Sequence, residues 1–121
     1  MVGNSYIDRA TGQKVTLLCD PVYDKEQVVR APTVYDIVHQ AGLKTAAIVW
    51  PATRNARTLD WTVPDMPGDD TWDKYGTRSW LVELRKARIP VDRHGPWVRE
   101  AAGGVQRDWL YVRMAGHVLQ Q

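Results

Sequence analysis

Three histidines, His39, His94 and His117, are the first residues in this 121-residue chain that could act as a base or hold a metal. None stands in a nucleophile motif such as Gly-x-Ser-x-Gly, and a surface or half-buried histidine is the simpler reading of each. His94 follows a carboxylate in Asp92-Arg93-His94-Gly95-Pro96. Carboxylate and imidazole are good zinc ligands, but a site needs at least three protein ligands, and Gly-Pro reads as a turn. Asp60, Asp65, Asp69, Asp70 and Asp73 crowd one stretch without EF-hand spacing, so a solvated acidic loop is expected there. Ala101-Ala102-Gly103-Gly104 falls short of a phosphate-binding loop and reads as the turn into a helix. Six tryptophans could stack nucleobases, although most are expected to pack the core. Trp50 differs, because it closes an apolar run and precedes Pro51. Ligand crevices of open α/β sheets lie outside the carboxyl ends of the strands, so Trp50 could face a planar group.

These residues need elements to hold them. Pro32-Thr33 opens the clearest helix, with Thr33 as cap and Asp36 three residues on in the manner of a capping box. Val34, Ile37, Val38 and Ala41 share its apolar face, and Gly42 stops it. Lys44 to Trp50 then reads as a buried parallel strand, since it does not alternate. Helix, short turn and buried strand make half of an α/β unit. Residues 51–76 carry prolines, glycines and the aspartates, and read as a long loop or cap-like excursion. A second helix is predicted from about Ser79 to Arg88, capped by Thr77, with Trp80, Leu81, Leu84 and Ala87 as its stripe. A third is predicted from about Val105 to Leu119, with Val105, Trp109, Val112 and Ala115 or Gly116 facing inward. Asp8 to Gln13 reads as a turn, and Val15 to Leu18 as a short strand. One buried strand without an evident neighbour suggests a piece of a larger sheet.

Composition bounds the rest. Sixteen Lys and Arg against fourteen Asp and Glu leave a net charge of +2, and the charges are interspersed, so no nucleic-acid surface is expected. Hydrophobic residues at 44% fit a globular domain rather than a disordered chain. The single cysteine, Cys19, rules out an internal disulfide framework. No apolar run approaches the ~20 residues of a membrane span. The N-terminus lacks the regions of a signal peptide, so either the chain is cytoplasmic or its true beginning is absent.

Taken in order, the segments resemble the type I phosphodiesterase/nucleotide pyrophosphatase family of the alkaline phosphatase superfamily. The matching residues are Val2-Gly3-Asn4-Ser5-Tyr6-Ile7-Asp8, Pro32-Thr33-Val34-Tyr35-Asp36, Ala41-Gly42-Leu43-Lys44-Thr45-Ala46 and Trp50-Pro51. The likeness is good over residues 2–51 and looser to the end. It implies an α/β fold, part of a three-layer α/β/α sandwich with an incomplete sheet, over a single partial domain 1–121. It implies a two-zinc phosphohydrolase acting on phosphate esters such as nucleotides. Asn4 matches the family's asparagine that donates to a phosphoryl oxygen, a neutral donor able to stabilise charge growing there. Trp50 and Pro51 match residues lining the nucleotide pocket, and Leu17 falls near another such position.

The departures are as informative. The family's His-Gly pair, the upstream nucleophile and the Asp/His metal motifs have no counterpart here. The expectation is a hydrolase fragment, inactive alone, binding neither zinc ion, with self-association through exposed sheet edges. The family is often exported, which leaves the compartment open. The alternatives are a small interaction protein using its tryptophans and acidic loop, and a nucleotide-binding module built on Asn4, Trp50 and Pro51.

Overall fold

A computed structural model describes residues 5–16, 23–66, 68–100 and 103–121. Asn4, Leu17 and Cys19 lie outside the described residues. The chain is mixed α/β. Strands β1 (Ser5–Ile7) and β2 (Lys14–Thr16) form an antiparallel hairpin with Ser5 opposite Thr16. Its turn works as the composition predicts: Asp8 Oδ1 accepts from the Ala10 amide at 2.8 Å, and Gly12 takes a φ of 70°.

Helix α1 (Lys25–Val28) is a single turn, and α2 (Val34–Gln40) starts at the predicted capping box. Thr33 Oγ1 accepts from the Asp36 amide at 3.3 Å, and Asp36 accepts from the Thr33 amide at 2.7 Å. The predicted apolar face of α2 is not its buried face. Val34 and Ile37 are exposed and Asp36 is buried, because the carboxylate, not the aliphatic stripe, makes the helix's interior bonds.

Strand β3 (Ala46–Trp50) is parallel, as expected, but it is not alone. It pairs with β4 (Trp61–Pro64), Ala46 opposite Trp61 and Ile48 opposite Val63. The predicted loop 51–76 therefore contains a strand and also α3 (Thr71–Tyr75). Nor is β3 covered throughout, since Ala46 and Trp50 are exposed. The crossover over 51–60 has no helix; Thr53 Oγ1 turns it by donating to the Trp50 carbonyl at 2.8 Å, and Ala52 and Asn55 adopt left-handed φ values of 53° and 52°.

Helix α4 (Arg78–Lys86) buries Trp80, Leu81 and Leu84 as predicted, but Ala87, the fourth residue of the expected stripe, is its exposed C-cap. Its Thr77 does not cap by its side chain. That hydroxyl accepts from the Thr62 amide at 3.0 Å and donates to the Asp60 carbonyl at 3.3 Å, fastening α4 to β4. A 3-10 turn (Val91–Arg93) leads into α5 (His94–Arg99), so Gly95-Pro96 lies in a helix rather than a turn. Helix α6 (Gly103–Val118) is rotated from its predicted setting. Gly103, Leu110 and Met114 face inward, while Val105, Trp109 and Val112 are exposed.

The main core gathers Val63, Trp72, Trp80, Leu81, Leu84, Ile89, Val91, Leu110 and Met114. A smaller cluster, Ala47 with Ala56 and Leu59, packs with Tyr35 of α2. Ile48 packs on the first cluster and Ala47 belongs to the second, as alternation along a strand requires. Helices thus lie against β3 from both sides.

Candidate functional site

A cavity of about 410 Å³ lies where α2 meets β3. Its walls include Thr33, Tyr35, Ala47, Ile48, Trp50 and Pro51, and among the described residues no charged one lines it. This volume lies in the range that holds a small ligand. Trp50 and Pro51, singled out in the sequence, come together here, and Trp50 is 60% exposed at the rim. Tyr35 joins them from α2. Asn4 and Leu17, the other expected substrate contacts, are outside the described residues.

The backbone around Trp50 is strained. Val49 has a φ of 51° inside β3, where the register slips between Ile48 and Trp50. A β-branched residue rarely accepts that angle. Together with Ala52, this places left-handed non-glycine residues on both sides of the Trp50-Pro51 pair. Each costs on the order of 1–3 kcal/mol, and such outliers cluster at functional sites.

The same helix α2 carries a buried ionic network. Lys25 Nζ donates to both Asp36 carboxylate oxygens, at 2.9 and 2.7 Å. Thr33 Oγ1 donates to the same carboxylate at 2.7 Å, and Thr58 Oγ1 bonds its other oxygen closely. The Lys25 hydrogen bond, then that of Thr58, hold Asp36 far below the usual carboxylate range, against the opposing effect of burial. Burial pulls the Lys25 ammonium down, but Asp36 outweighs it and the net shift is upward. Lys25 Nζ also lies 5.6 Å from the centre of the Tyr35 ring. Lys25 and Asp36 are not among the residues lining this cavity; with Thr58 they line a neighbouring surface hollow. Lys25 and Asp36 are eleven residues apart, and no local pattern in the sequence announces them.

The other sequence candidates do not converge. Asp92 pairs with Arg85, which also bonds Asp73 at 2.7 Å. His94 is buried, stacks on Trp72 with ring centres 3.9 Å apart, and bonds the Tyr111 hydroxyl at 3.1 Å. Burial, and then the Arg107 charge, push its pKa down to about 4, so its imidazole is neutral at pH 7. His39 Nδ1 is 3.7 Å from Asp60. Asp60 is held down to about 2, first by its Lys44 hydrogen bond. Asp69 pairs with Arg99 at 2.7 Å. Much of the acidic stretch is thus structural ion pairing. Among the described residues, no three His, Cys, Asp or Glu side chains gather around one point. No described helix is long and apolar enough to cross a membrane. Of the tryptophans, Trp72 and Trp80 are buried, while Trp50 and Trp109 are exposed. Compared with protein-family models, curated proteins and solved structures, the chain matches none.

Proposed function

We propose that this chain binds a planar aromatic ligand, the base of a nucleoside or nucleotide, in the cavity between α2 and β3. The observation that carries the reading is the uncharged pocket walled by Tyr35, Trp50 and Pro51 at the carboxyl end of a parallel strand. A ring stacked there gains aromatic contact and loses little hydration, and since the described lining is aromatic and apolar without a cation, the base rather than the phosphate is the part it suits. This is the position that the resemblance to type I phosphodiesterases assigns to nucleotide recognition. The finer fold, part of an alkaline-phosphatase-like three-layer sandwich, belongs to the same proposal and draws support from the parallel pair β3–β4 with helices on both sides of β3. The zinc pair implied by that resemblance does not fit the described residues, which offer no set of converging donors. The proposal is therefore one of recognition, and no catalytic step is derived.

The test is a calorimetric titration with adenosine and with adenosine monophosphate. The two ligands are expected to bind alike, and Trp50→Ala to weaken both about tenfold, the scale of one lost base stack. Trp109→Ala, at the other exposed tryptophan, should change neither. Equal affinity of the parent and Trp50→Ala, or no saturable binding, would sink the reading.

A second reading, an interaction protein, is favoured by a different observation. Val34 and Ile37 on α2, and Val105, Trp109 and Val112 on α6, stand exposed in the folded chain.

A further inference from the structure

Helix α6 is apolar on two sides. Leu110 and Met114 are fully buried, and Tyr111 and Val118 pack beside them, so that side is anchored. The other side carries Val105, Trp109 and Val112, with Leu119 just past the helix end, its amide still bonded to the Ala115 carbonyl; the four are 79, 53, 69 and 87% exposed. With Gly116 between the last two, these residues advance by alternating steps of four and three. That is the seam of a coiled coil, with Trp109 and Gly116 at a positions and Val105, Val112 and Leu119 at d positions. A Cβ placed on Gly116 would meet nothing within 4 Å, so this part of the seam is open.

The residues flanking the seam choose a partner. Asp108 falls at a g position and Arg113 at the following e position. In a parallel pair of identical helices, g of one faces the next e of the other. Asp108 of each copy would then meet Arg113 of its partner, twice by symmetry. An antiparallel pair instead sets Asp108 opposite Ala115 and Arg113 opposite Gln106, with no ion pair. Shifting that pair by a heptad opposes Arg113 with Arg113 or Asp108 with Asp108. Neither residue is held in an ion pair among the described residues. The Arg113 guanidinium already lies along the seam, 4.7 Å from the Trp109 ring centre.

We propose that the exposed face of α6 is a self-association surface, on which a second copy of this chain docks with its α6 parallel to the first. The inference is independent of the cavity and of any nucleotide. The seam is a single helix face about 24 Å long, a small patch where a stable interface buries about 1,200 Å² or more. Association is accordingly weak, with a Kd on the order of 100 µM.

Sedimentation equilibrium of the full chain, from about 10 µM to 1 mM, tests this across the expected Kd. The parent should show a monomer–dimer equilibrium. Asp108→Arg and Arg113→Asp should each weaken it by about fivefold to tenfold, because each sets like charges across the seam. Mixing those two variants in equal amounts should restore the parent affinity in a heterodimer, since both facing pairs become opposite in sign. That recovery also shows that both variants are folded. A chain that stays monomeric throughout overturns the proposal, as it would if the face served another protein. Dimers indifferent to either substitution overturn it too, and point to the sheet edges. Weakening without recovery in the mixture excludes the parallel pairing.

Discussion

At the residue scale, two buried titratable groups set the acid stability of this chain in different ranges. His94 has a folded pKa of about 4 against an ordinary 6.5, so the unfolded state binds its proton first. Stability is expected to be flat above pH 6.5, to fall as pH drops toward 4, and to lose up to about 3 kcal/mol from this group. His94→Phe keeps a ring against Trp72 and should flatten that slope, as read from urea midpoints across the range. Asp36 acts lower. Its folded pKa is depressed, so its contribution is present above the unfolded value of 3.8 and is lost as pH falls below it. Truncating it removes the carboxylate that compensates a buried ammonium: Asp36→Ala should cost about 3–5 kcal/mol by leaving Lys25 without its ion-pair partner. A loss below about 1 kcal/mol in urea unfolding would mean that water reaches Lys25 readily.

At the scale of elements, backbone conformation and close approach decide more than hydrophobicity does. Ala52 sits at a φ of 53° in the crossover behind Trp50. Ala52→Gly should raise stability by about 0.5–1 kcal/mol, since glycine accepts that angle freely; a fall in Tm would show that the methyl packs in the cavity wall. Gly103 opens α6 against α5, and a Cβ there would stand 1.9 Å from the Trp97 carbonyl oxygen. Gly103→Ala should therefore destabilise by more than about 2 kcal/mol. Its neighbour Gly104 has open space, so Gly104→Ala should be neutral or stabilising by up to ~1 kcal/mol through helix propensity. Paired thermal melts of these two variants separate crowding from propensity. The capping box at Thr33 and Asp36 was legible because both partners lie within one helical turn. Strand β4 was hidden by its proline and aspartate neighbours, although its run Trp61-Thr62-Val63 carries the aromatic and β-branched signature of a strand.

For the molecule as a whole, the two-stranded parallel sheet and the exposed helix faces raise the same issue of cover. Neither β3 nor β4 has a second strand partner among the described residues. Open edges of this kind invite pairing, and the edge-association expectation stands as a proposal beside the α6 seam. Amide exchange distinguishes how firmly the sheet holds: β3 amides pointing away from β4 should exchange quickly in a dilute monomer. Slow exchange there, without association, would show that another segment of the chain shields them.

The sequence by itself determined the helices around Thr33, Trp80 and Leu110, the parallel character of β3 and the place of Trp50-Pro51 at its end. Those features follow from caps, periodicity and proline, which act within a few residues of the chain. Only the tertiary structure decided which side of a helix is inside. Val105, Trp109 and Val112 form as good an apolar stripe as Leu110 and Met114, and periodicity cannot rank two stripes on one helix. Packing against Trp80, Leu84 and Ile89 ranks them. The same holds for Lys25 with Asp36 and for His94 with Tyr111. Each pair joins residues distant in the chain, and a desolvated charge or ring nitrogen is stable only where folding brings its partner within bonding distance.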